Sequence, residues 1–331
     1  MSFGKSITLK DGNKIPQIGL GTWLAEPGEV EKAVEIAVRH GYRHLDLAMC
    51  YENQEEVGKA LKKVVPSVVK REDLWLTSKL WNTCHRPDLV EKELDLTLKQ
   101  LGVEYLDLYL MHWPVAFQPQ TPGQNLMPED PNNKSYVALD MDTSIVETWK
   151  AMIALPKSKV KSVGVSNFTI DHIEAVIKAT GAVPAFNQVE THPLLPQDDL
   201  VKYCKEKGIQ ITAYSPLGNN MVGKPKLTEN SHMESVAKKL NATPAQVAIA
   251  WGTYRGYAVI PKSVNEERIK QNFQQIELSK EDYEEISKVI GDGKARTRFN
   301  IPYAYYQPKW DINIYGEEEE KGAKHTINLG V

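Results

Sequence analysis

Short apolar runs alternate with amphipathic segments along most of the chain. The runs are hydrophobic on both sides, as expected of parallel strands that are buried on two faces. The predicted strands span residues 18–23, 44–46, 74–79, 106–112, 160–165, 185–190, 210–214 and 257–260. Amphipathic helices are predicted over residues 28–40, 55–64, 87–101, 144–155, 171–180, 197–207, 231–240, 243–251 and from about 265 onward. Strands and helices that alternate in this way predict an α/β protein with the (β/α)8 TIM-barrel fold.

The expected barrel covers residues from about 18 to 272 of a single domain that spans 1–331. In front of the barrel, two alternating segments flank Asp11 and Gly12. An Asp-Gly pair in this setting is typical of a tight turn between antiparallel strands. We therefore expect an N-terminal β-hairpin over residues 6–17.

Two long stretches lie outside the repeating pattern. The segment 113–142 is longer than most loops of compact folds, which indicates a functional role. Residues 273–331 are predicted to form a helix and then a long loop over the barrel top. The aromatic and aliphatic residues around Trp310 favour packing over disorder, whereas the acidic run 317–320 is expected to be solvated. We expect the segment 113–142 and the tail, residues 297–331, to overhang the strand ends and to set substrate choice.

Helix ends carry their own signals. Pro87 suits the first turn of a helix, and Gly102 suits the position just after its end. Asn53 and Glu56 are predicted to cap the helix that begins near residue 55.

A doubly wound sheet is the rival fold. It needs a glycine-rich turn of the form G-x-G-x-x-G after the first strand. Gly19 and Gly21 match this pattern, but Leu24 stands at the third glycine position. The barrel is therefore the favoured fold.

The composition is that of an ordinary globular protein, with 41% hydrophobic and 25% charged residues. A formal net charge of -3 gives no general attraction to a polyanion, so nucleic-acid binding is not expected. No apolar run reaches the length of about 18 residues that a membrane span needs. Cys50, Cys84 and Cys204 form no CxxC pair, which favours a reducing, cytoplasmic compartment and argues against a thiolate metal site.

Polar side chains follow three consecutive predicted strands at the points where these strands end. Asp46, Lys79 and His112 occupy these ends, and Tyr51 lies in the loop after Asp46. In a (β/α)8 barrel the chemistry is located at the carboxyl ends of the strands. A buried carboxylate is costly without a cation, so Lys79 is expected to pair with Asp46. Each residue alone is more often structural, and it is their shared position that predicts a catalytic group.

The chain resembles the aldo-keto reductase superfamily over residues 19–272. The resemblance rests on GLGTW at 19–23, Asp46 with Tyr51, SKLW at 78–81, LMHWP at 110–114, GVSNF at 164–168, AYSPLG at 213–218 and IPKS at 260–263. Within the superfamily the chain is most similar to fungal aldehyde reductases of the aldose reductase branch. The resemblance implies an NADPH-dependent oxidoreductase that reduces aldehydes, and by extension ketones or aldoses, to alcohols by hydride transfer.

The resemblance also implies which residues form the site. A catalytic tetrad falls on Asp46, Tyr51, Lys79 and His112. The implied cofactor contacts are Gly21, Thr22, Trp23, Ser166, Asn167, Gln188, Tyr214, Ser215, Leu217, Asn219, Lys262, Ser263, Val264, Asn265, Arg268, Gln271 and Asn272. The implied substrate contacts are Trp23, Trp81, His112, Trp113 and Phe117. No metal is expected.

The residue types suggest how such a site would work. A tyrosine with the ordinary pKa of about 10 is a poor acid at neutral pH. Lys79 is expected to lower the pKa of Tyr51, which protonates the carbonyl oxygen while the carbonyl carbon receives the hydride of NADPH. Asp46 would hold Lys79 charged and oriented, and His112 would donate a hydrogen bond to the carbonyl.

Other functions stay open at this point. The same tetrad would serve a polyol or glycerol dehydrogenase, or a sugar reductase of the xylose type. A protein of another class is also possible in principle, an NADPH-sensing subunit without catalysis. We expect a monomer whose partner is a small carbonyl compound.

Overall fold

The computed structural model describes residues 5–10, 12–218 and 223–331. In chain order the strands are β1 (Ser6–Thr8), β2 (Lys14–Pro16), β3 (Leu20–Gly21), β4 (His44–Asp46), β5 (Trp75–Leu80), β6 (Leu106–Met111), β7 (Glu129–Asp130), β8 (Asn133–Val137), β9 (Val160–Ser166), β10 (Phe186–Glu190), β11 (Gln210–Tyr214), β12 (Ala258–Val259), β13 (Ile312–Asn313) and β14 (His325–Thr326). Strands β1 and β2 form the predicted antiparallel hairpin, in which Asp11 lies outside the described residues.

Eight strands form one parallel sheet in the order β3-β4-β5-β6-β9-β10-β11-β12. Isolated parallel bridges from Ile18 to Val259 and from Gly21 to Lys262 join its two outer strands. Gly21 is needed at this seam, because a Cβ atom there would lie 2.9 Å from the carbonyl oxygen of Ile260. The sheet therefore closes on itself, and the predicted (β/α)8 fold is confirmed.

Helices cover the outside of the sheet. They are α1 (Glu29–His40), α2 (Gln54–Val64), α3 (Pro87–Leu101), α4 (Ile145–Ile153), α5 (Ile170–Thr180), α6 (Asp198–Lys207), α7 (Ser231–Lys239), α8 (Pro244–Tyr254), α9 (Glu266–Phe273), α10 (Lys280–Ser287) and α11 (Pro302–Tyr305). No helix in the described part of the chain has the length and apolar character needed to cross a membrane.

The predicted cap of α2 is wrong. The side chain of Asn53 makes no capping hydrogen bond; its Nδ2 donates to the carbonyl oxygen of Thr22 at 2.9 Å instead. The Glu56 carboxylate accepts from the backbone N–H of Gly28 at 2.9 Å. Both side chains thus connect α2 to the loop after β3. Local sequence signals do not reveal such contacts between residues far apart in the chain.

The segment 113–142 and the tail pack against each other over the carboxyl ends of the strands. The segment contains the antiparallel pair β7 and β8, which was not predicted. Backbone hydrogen bonds of 2.8 Å join Lys309 of the tail to Ser135 and Val137 of β8. Trp310 is fully buried, and its ring lies 5.1 Å from Trp113 between ring centroids. The tail is packed, as its aromatic content predicted.

A buried carboxylate anchors the start of the tail. Glu190 ends β10 and is fully buried. It accepts from the backbone N–H groups of Phe299 at 2.8 Å and Asn300 at 2.9 Å, and from the Asn300 side chain at 2.9 Å. These bonds fix the tail to the end of a barrel strand.

The acidic run 317–320 is not uniformly solvated, contrary to expectation. Glu317 pairs with Arg296 at 2.7 Å and with Arg298 at 2.9 Å. Glu320 is fully buried and accepts from the backbone N–H groups of Ile314 and Tyr315 at 2.9 and 3.0 Å. A carboxylate can be buried where several N–H donors converge on it. Only the two central residues of the run are exposed.

A third buried carboxylate lies on α3. The Glu93 side chain is fully buried, and its Oε1 accepts from the backbone N–H of Trp81 at 2.6 Å and from the Tyr109 hydroxyl at 3.4 Å. Its other oxygen has no partner among the described residues. Burial raises the pKa of Glu93 to about 7, against an ordinary value of 4.5. The protein therefore holds a carboxyl group that ionises in the folded state only near neutral pH.

The raised pKa of Glu93 predicts how the free energy of unfolding changes with pH. Because its pKa is raised on folding, Glu93 contributes stability below pH 4.5 that is lost as the pH rises through about 7. The substitution Glu93→Gln removes this dependence. Between pH 5 and pH 8, wild type should lose roughly 2–3 kcal/mol relative to the variant in chemical denaturation.

The matched control is Glu91→Gln on the same helix, whose side chain is 50% exposed. It should change the pH dependence little. A Glu93→Gln variant that follows wild type in parallel across this pH range would contradict the assignment.

Candidate active site

The buried ammonium of Lys79 is the centre of the site. Lys79 lies in β5, near its carboxyl end, and is fully buried. Its Nζ donates to Asp46 Oδ2 at 2.7 Å, to the carbonyl oxygen of Leu47 at 2.7 Å and to the Tyr51 hydroxyl at 3.1 Å. These contacts occupy the three donors of the ammonium group. The structure thus brings Asp46, Tyr51 and Lys79 together as predicted.

The carboxylate of Asp46 is held from two sides. Its Oδ2 faces Lys79, and its Oδ1 accepts from Gln188 Nε2 at 2.7 Å. Gln188 lies in β10, on the far side of the barrel mouth from β4. The sequence predicted Gln188 as a cofactor contact; in this structure it also fixes the buried ion pair.

The protonation of Tyr51 differs from the sequence-based expectation. Burial raises the pKa of Tyr51 well above its ordinary value, and the negative charge of Asp46 raises it further. The pKa of Tyr51 therefore lies above its ordinary value, whereas the sequence-based expectation was that Lys79 lowers it.

His112 follows β6 and stands among aromatic rings. Its ring centroid lies 5.9 Å from that of Tyr51 and 5.3 Å from that of Trp81. Burial lowers the pKa of His112 well below its usual value, and the Lys79 ammonium adds to the effect. The imidazole is therefore neutral and carries one N–H. Its Nδ1 lies 3.6 Å from the sulfur of Cys50.

Asn167 links the strand ends to the tail. Its Nδ2 donates to the carbonyl oxygen of His112 at 2.9 Å. Its Oδ1 accepts from the hydroxyls of Tyr214 at 2.6 Å and Tyr315 at 3.0 Å. The backbone of Asn167 has φ of +64°, a left-handed conformation that asparagine tolerates better than most residues. Tyr315 was not predicted, and joins this network from the tail.

A cavity of about 640 Å³ opens over these groups. The predicted residues that line it are Gly21, Thr22, Trp23, Asp46, Tyr51, Trp81, His112, Trp113, Asn167, Gln188, Tyr214, Ser215, Leu217 and Lys262. Ser166 does not line it; its hydroxyl donates to the carbonyl oxygen of Gln188 at 2.8 Å. Asn219 lies outside the described residues.

Phe117 does not belong to the cavity wall, which corrects its prediction as a substrate contact. It is 1% exposed and packs edge-on against Trp81 and Trp310, with ring centroids at 5.7 and 4.8 Å. Trp310 of the tail, which is fully buried, lies against Phe117. Phe117 therefore supports the wall from behind.

The remaining predicted residues follow Lys262 in the chain, from the loop before α9 to the last turn of that helix. Lys262 Nζ donates to the carbonyl oxygen of Leu24 at 2.6 Å. Asn265 caps α9, since its Oδ1 accepts from the backbone N–H of Arg268 at 3.0 Å. The Ser263 hydroxyl accepts from the Asn265 backbone N–H at 3.2 Å. Val264 is partly buried, Gln271 is exposed and Asn272 is buried.

Lys262 and Arg268 are the two cations near the start of α9. Partial burial lowers the pKa of Lys262; the nearby carboxylate of Glu29 opposes this effect, and the positive charge of Arg268 adds to it. Within residues 5–10, 12–218 and 223–331, neither side chain forms an ion pair. A helix N-terminus with two unneutralised cations is a site for an anion.

Sequence reasoning missed several residues of the cavity wall. They are Leu24, Cys50, Met127, Pro216, Gly218, Ile260, Pro261, Asn300, Tyr305, Tyr306 and Gln307. Four of these come from the tail, which has no periodic pattern to place its side chains. Its dense aromatic content was the one signal that could have marked it as part of the wall. The described residues contain no cluster of three or more acidic, histidine or cysteine side chains suited to a metal ion.

Comparison with known proteins agrees with this geometry. The model of the Aldo/keto reductase family matches residues 17–290. The chain is 54% identical to D/L-glyceraldehyde reductase of Hypocrea jecorina, over 98% of both chains. It is 44% identical to Glycerol 2-dehydrogenase (NADP(+)) of Saccharomyces cerevisiae, over 86% of this chain and 90% of that one.

The solved structures include an aldose reductase from Schistosoma japonicum. That structure matches with a TM-score of 0.82 and 38% sequence identity, over 96% of this chain and 98% of the other. The family model and the relatives cover the barrel together with the strand ends that carry the buried ion pair. This chain belongs to the aldo/keto reductase family.

Proposed function

We propose that the protein reduces aldehydes to alcohols with NADPH, and that Tyr51 donates the proton. The observation that carries this proposal is the contact of Lys79 with both Asp46 and Tyr51 at the floor of the cavity. Apolar residues of similar volume are often as stable as a buried ion pair, so stability alone does not account for this one, and a catalytic role does. A role as an NADPH-sensing subunit is therefore disfavoured.

The described residues fit a nicotinamide dinucleotide with an added phosphate. The amide of Gln188 lines the cavity beside the ion pair, where it can bind a polar group of a nicotinamide. Asn167 lines the same cavity, and its amide would exchange its contacts with Tyr214 and Tyr315 for such a group. The flat phenol of Tyr214 lines the same wall. Lys262 and Arg268 supply two positive charges at the far end, which favours a cofactor with the extra phosphate of NADPH. When bound, NADPH supplies the hydride that the carbonyl carbon receives.

Each member of the tetrad then has a distinct task. The Tyr51 hydroxyl carries a proton, which can pass to the carbonyl oxygen as negative charge develops there. Lys79 stabilises the phenolate that remains, and Asp46 keeps Lys79 in place. The neutral ring of His112 can donate a hydrogen bond to the same oxygen. A low effective dielectric in the buried site strengthens these interactions.

A short hydroxyaldehyde such as glyceraldehyde is our proposed substrate. The 54% identical relative is named a D/L-glyceraldehyde reductase. The cavity wall combines aromatic rings with polar tail groups, among them Asn300, Gln307 and Tyr306, whose hydroxyl donates to Asn300 Oδ1 at 3.2 Å. Such groups can bind the hydroxyls of a polar substrate.

The reverse reaction, oxidation of a polyol, uses the same groups, and one relative is named a glycerol dehydrogenase. The 54% identical relative is named a reductase, which supports reduction as the direction. We also propose that the protein is a cytoplasmic monomer; its three free cysteines support the reducing compartment.

The substitution Tyr51→Phe tests the proton donor. It keeps the ring that packs against His112 and removes the hydroxyl. Aldehyde reduction should fall by roughly 10²–10⁴-fold in kcat, because the general acid is lost. NADPH affinity, measured by titration calorimetry, should change little. A folded variant that keeps more than about a tenth of wild-type kcat would rule out this role.

Arg268→Ala tests the cofactor preference. Loss of one charge-assisted hydrogen bond to a phosphate should raise the Kd for NADPH by roughly tenfold or more and leave NADH nearly unaffected. Both affinities are measured by calorimetry. Lys270→Ala is the matched control, because Lys270 lies on the same helix and pairs with Glu266 at 2.9 Å. Equal weakening of both cofactors would place Arg268 on a feature that they share.

A further inference from the structure

One contact in the site has no role in the function proposed above. The sulfur of Cys50 lies 3.6 Å from His112 Nδ1, within hydrogen-bonding range for sulfur. Cys50 directly precedes Tyr51 in a single 3-10 turn, Met49–Tyr51, and it lines the cavity. It is a free cysteine. Within the described part of the chain, it is the one group that hydrogen-bonds to the imidazole ring of His112.

The chemistry of the two groups sets the direction of this bond. A neutral imidazole carries its single proton on either Nδ1 or Nε2, and the other nitrogen is an acceptor. Burial raises the pKa of the Cys50 thiol, so the thiol keeps its proton despite the Lys79 ammonium nearby. Sulfur is a weak acceptor, whereas an unprotonated imidazole nitrogen is a good one. The bond therefore runs from the thiol S–H to Nδ1.

That direction decides what the other nitrogen can do. If Nδ1 accepts from the thiol, the ring proton lies on Nε2, which can donate to a ligand. The opposite tautomer would present a lone pair on Nε2, and that lone pair would repel a carbonyl oxygen. The tautomer therefore determines whether Nε2 of His112 can donate a hydrogen bond.

We propose that Cys50 is a positioning residue, whose thiol donates to Nδ1 of His112 and thereby keeps the ring proton on Nε2. The tautomer itself is a property of the protein without ligands. Its effect on catalysis rests on the proposed function, in which Nε2–H donates to the carbonyl oxygen of the substrate. No covalent change at the thiol is involved.

Nitrogen-15 NMR of histidine-labelled protein tests the tautomer without substrate or cofactor. The His112 signals are assigned by their absence in His112→Gln. In wild type, Nε2 should show a one-bond coupling to a proton, and Nδ1 should have the chemical shift of an unprotonated nitrogen that accepts a hydrogen bond. A proton on Nδ1 in wild type would overturn the proposal.

The variant Cys50→Val removes the donor and keeps the bulk of the side chain. The Nδ1 signal should move away from its hydrogen-bonded value, and kcat/KM for glyceraldehyde should fall about three- to tenfold. The Kd for NADPH should not change. An unchanged Nδ1 signal in this variant would overturn the proposal, whatever the activity.

Cys204→Val is the matched control, since Cys204 is a buried free cysteine on α6, outside the cavity wall. It should leave the His112 signals and the rates as in wild type. The smaller Cys50→Ala should shift Nδ1 in the same direction as Cys50→Val, which separates loss of the donor from a steric effect of valine. If the Nδ1 signal shifts as expected in Cys50→Val but the wild-type protein does not reduce aldehydes, the proposed function is contradicted. The tautomer assignment then still holds.

Discussion

The buried ammonium of Lys79 is the constraint on which the rest of the site depends. A charge without solvent is tolerated only where its donors are all satisfied, and here Asp46, Leu47 and Tyr51 satisfy them. Asp46 in turn needs a second partner, which Gln188 supplies from β10. Residues from β4, β5 and β10 are thus tied to one point of the barrel mouth. Since apolar residues of similar volume are often as stable as a buried ion pair, stability alone does not account for this one.

The segment 113–142 and the tail supply the part of the cavity wall that the barrel strands do not. Glu190 fixes the start of the tail to a strand end, and Trp310 seals the aromatic wall behind the cavity. These contacts keep water from the ion pair on one side and shape the substrate space on the other. Removal of the tail would expose the rings of Trp81, Trp113 and Phe117, so single substitutions in the tail are better probes of substrate choice than truncation.

Local signals in the sequence predicted the barrel and the position of its chemistry. The helix at Pro87–Leu101 has the predicted ends, because proline and the following glycine act on the chain locally. The meeting of Asp46 with Lys79 was also predictable, since parallel strand ends share one edge of the sheet. The environment of Glu320 and the position of Phe117 were not, because each depends on contacts with the tail. The same limit applies to the pKa of Tyr51, which burial raises.

The central claim is that Lys79 is kept charged for chemistry and not for stability. The direct test is the aldehyde-reduction rate of the double variant Asp46→Asn/Lys79→Met, in which the ion pair is replaced without leaving one charge alone. Its free energy of unfolding should stay within about 2 kcal/mol of wild type, because paired removal avoids an uncompensated buried charge. Its kcat should fall by roughly 100-fold or more. A folded double variant with kcat within about tenfold of wild type would contradict the account.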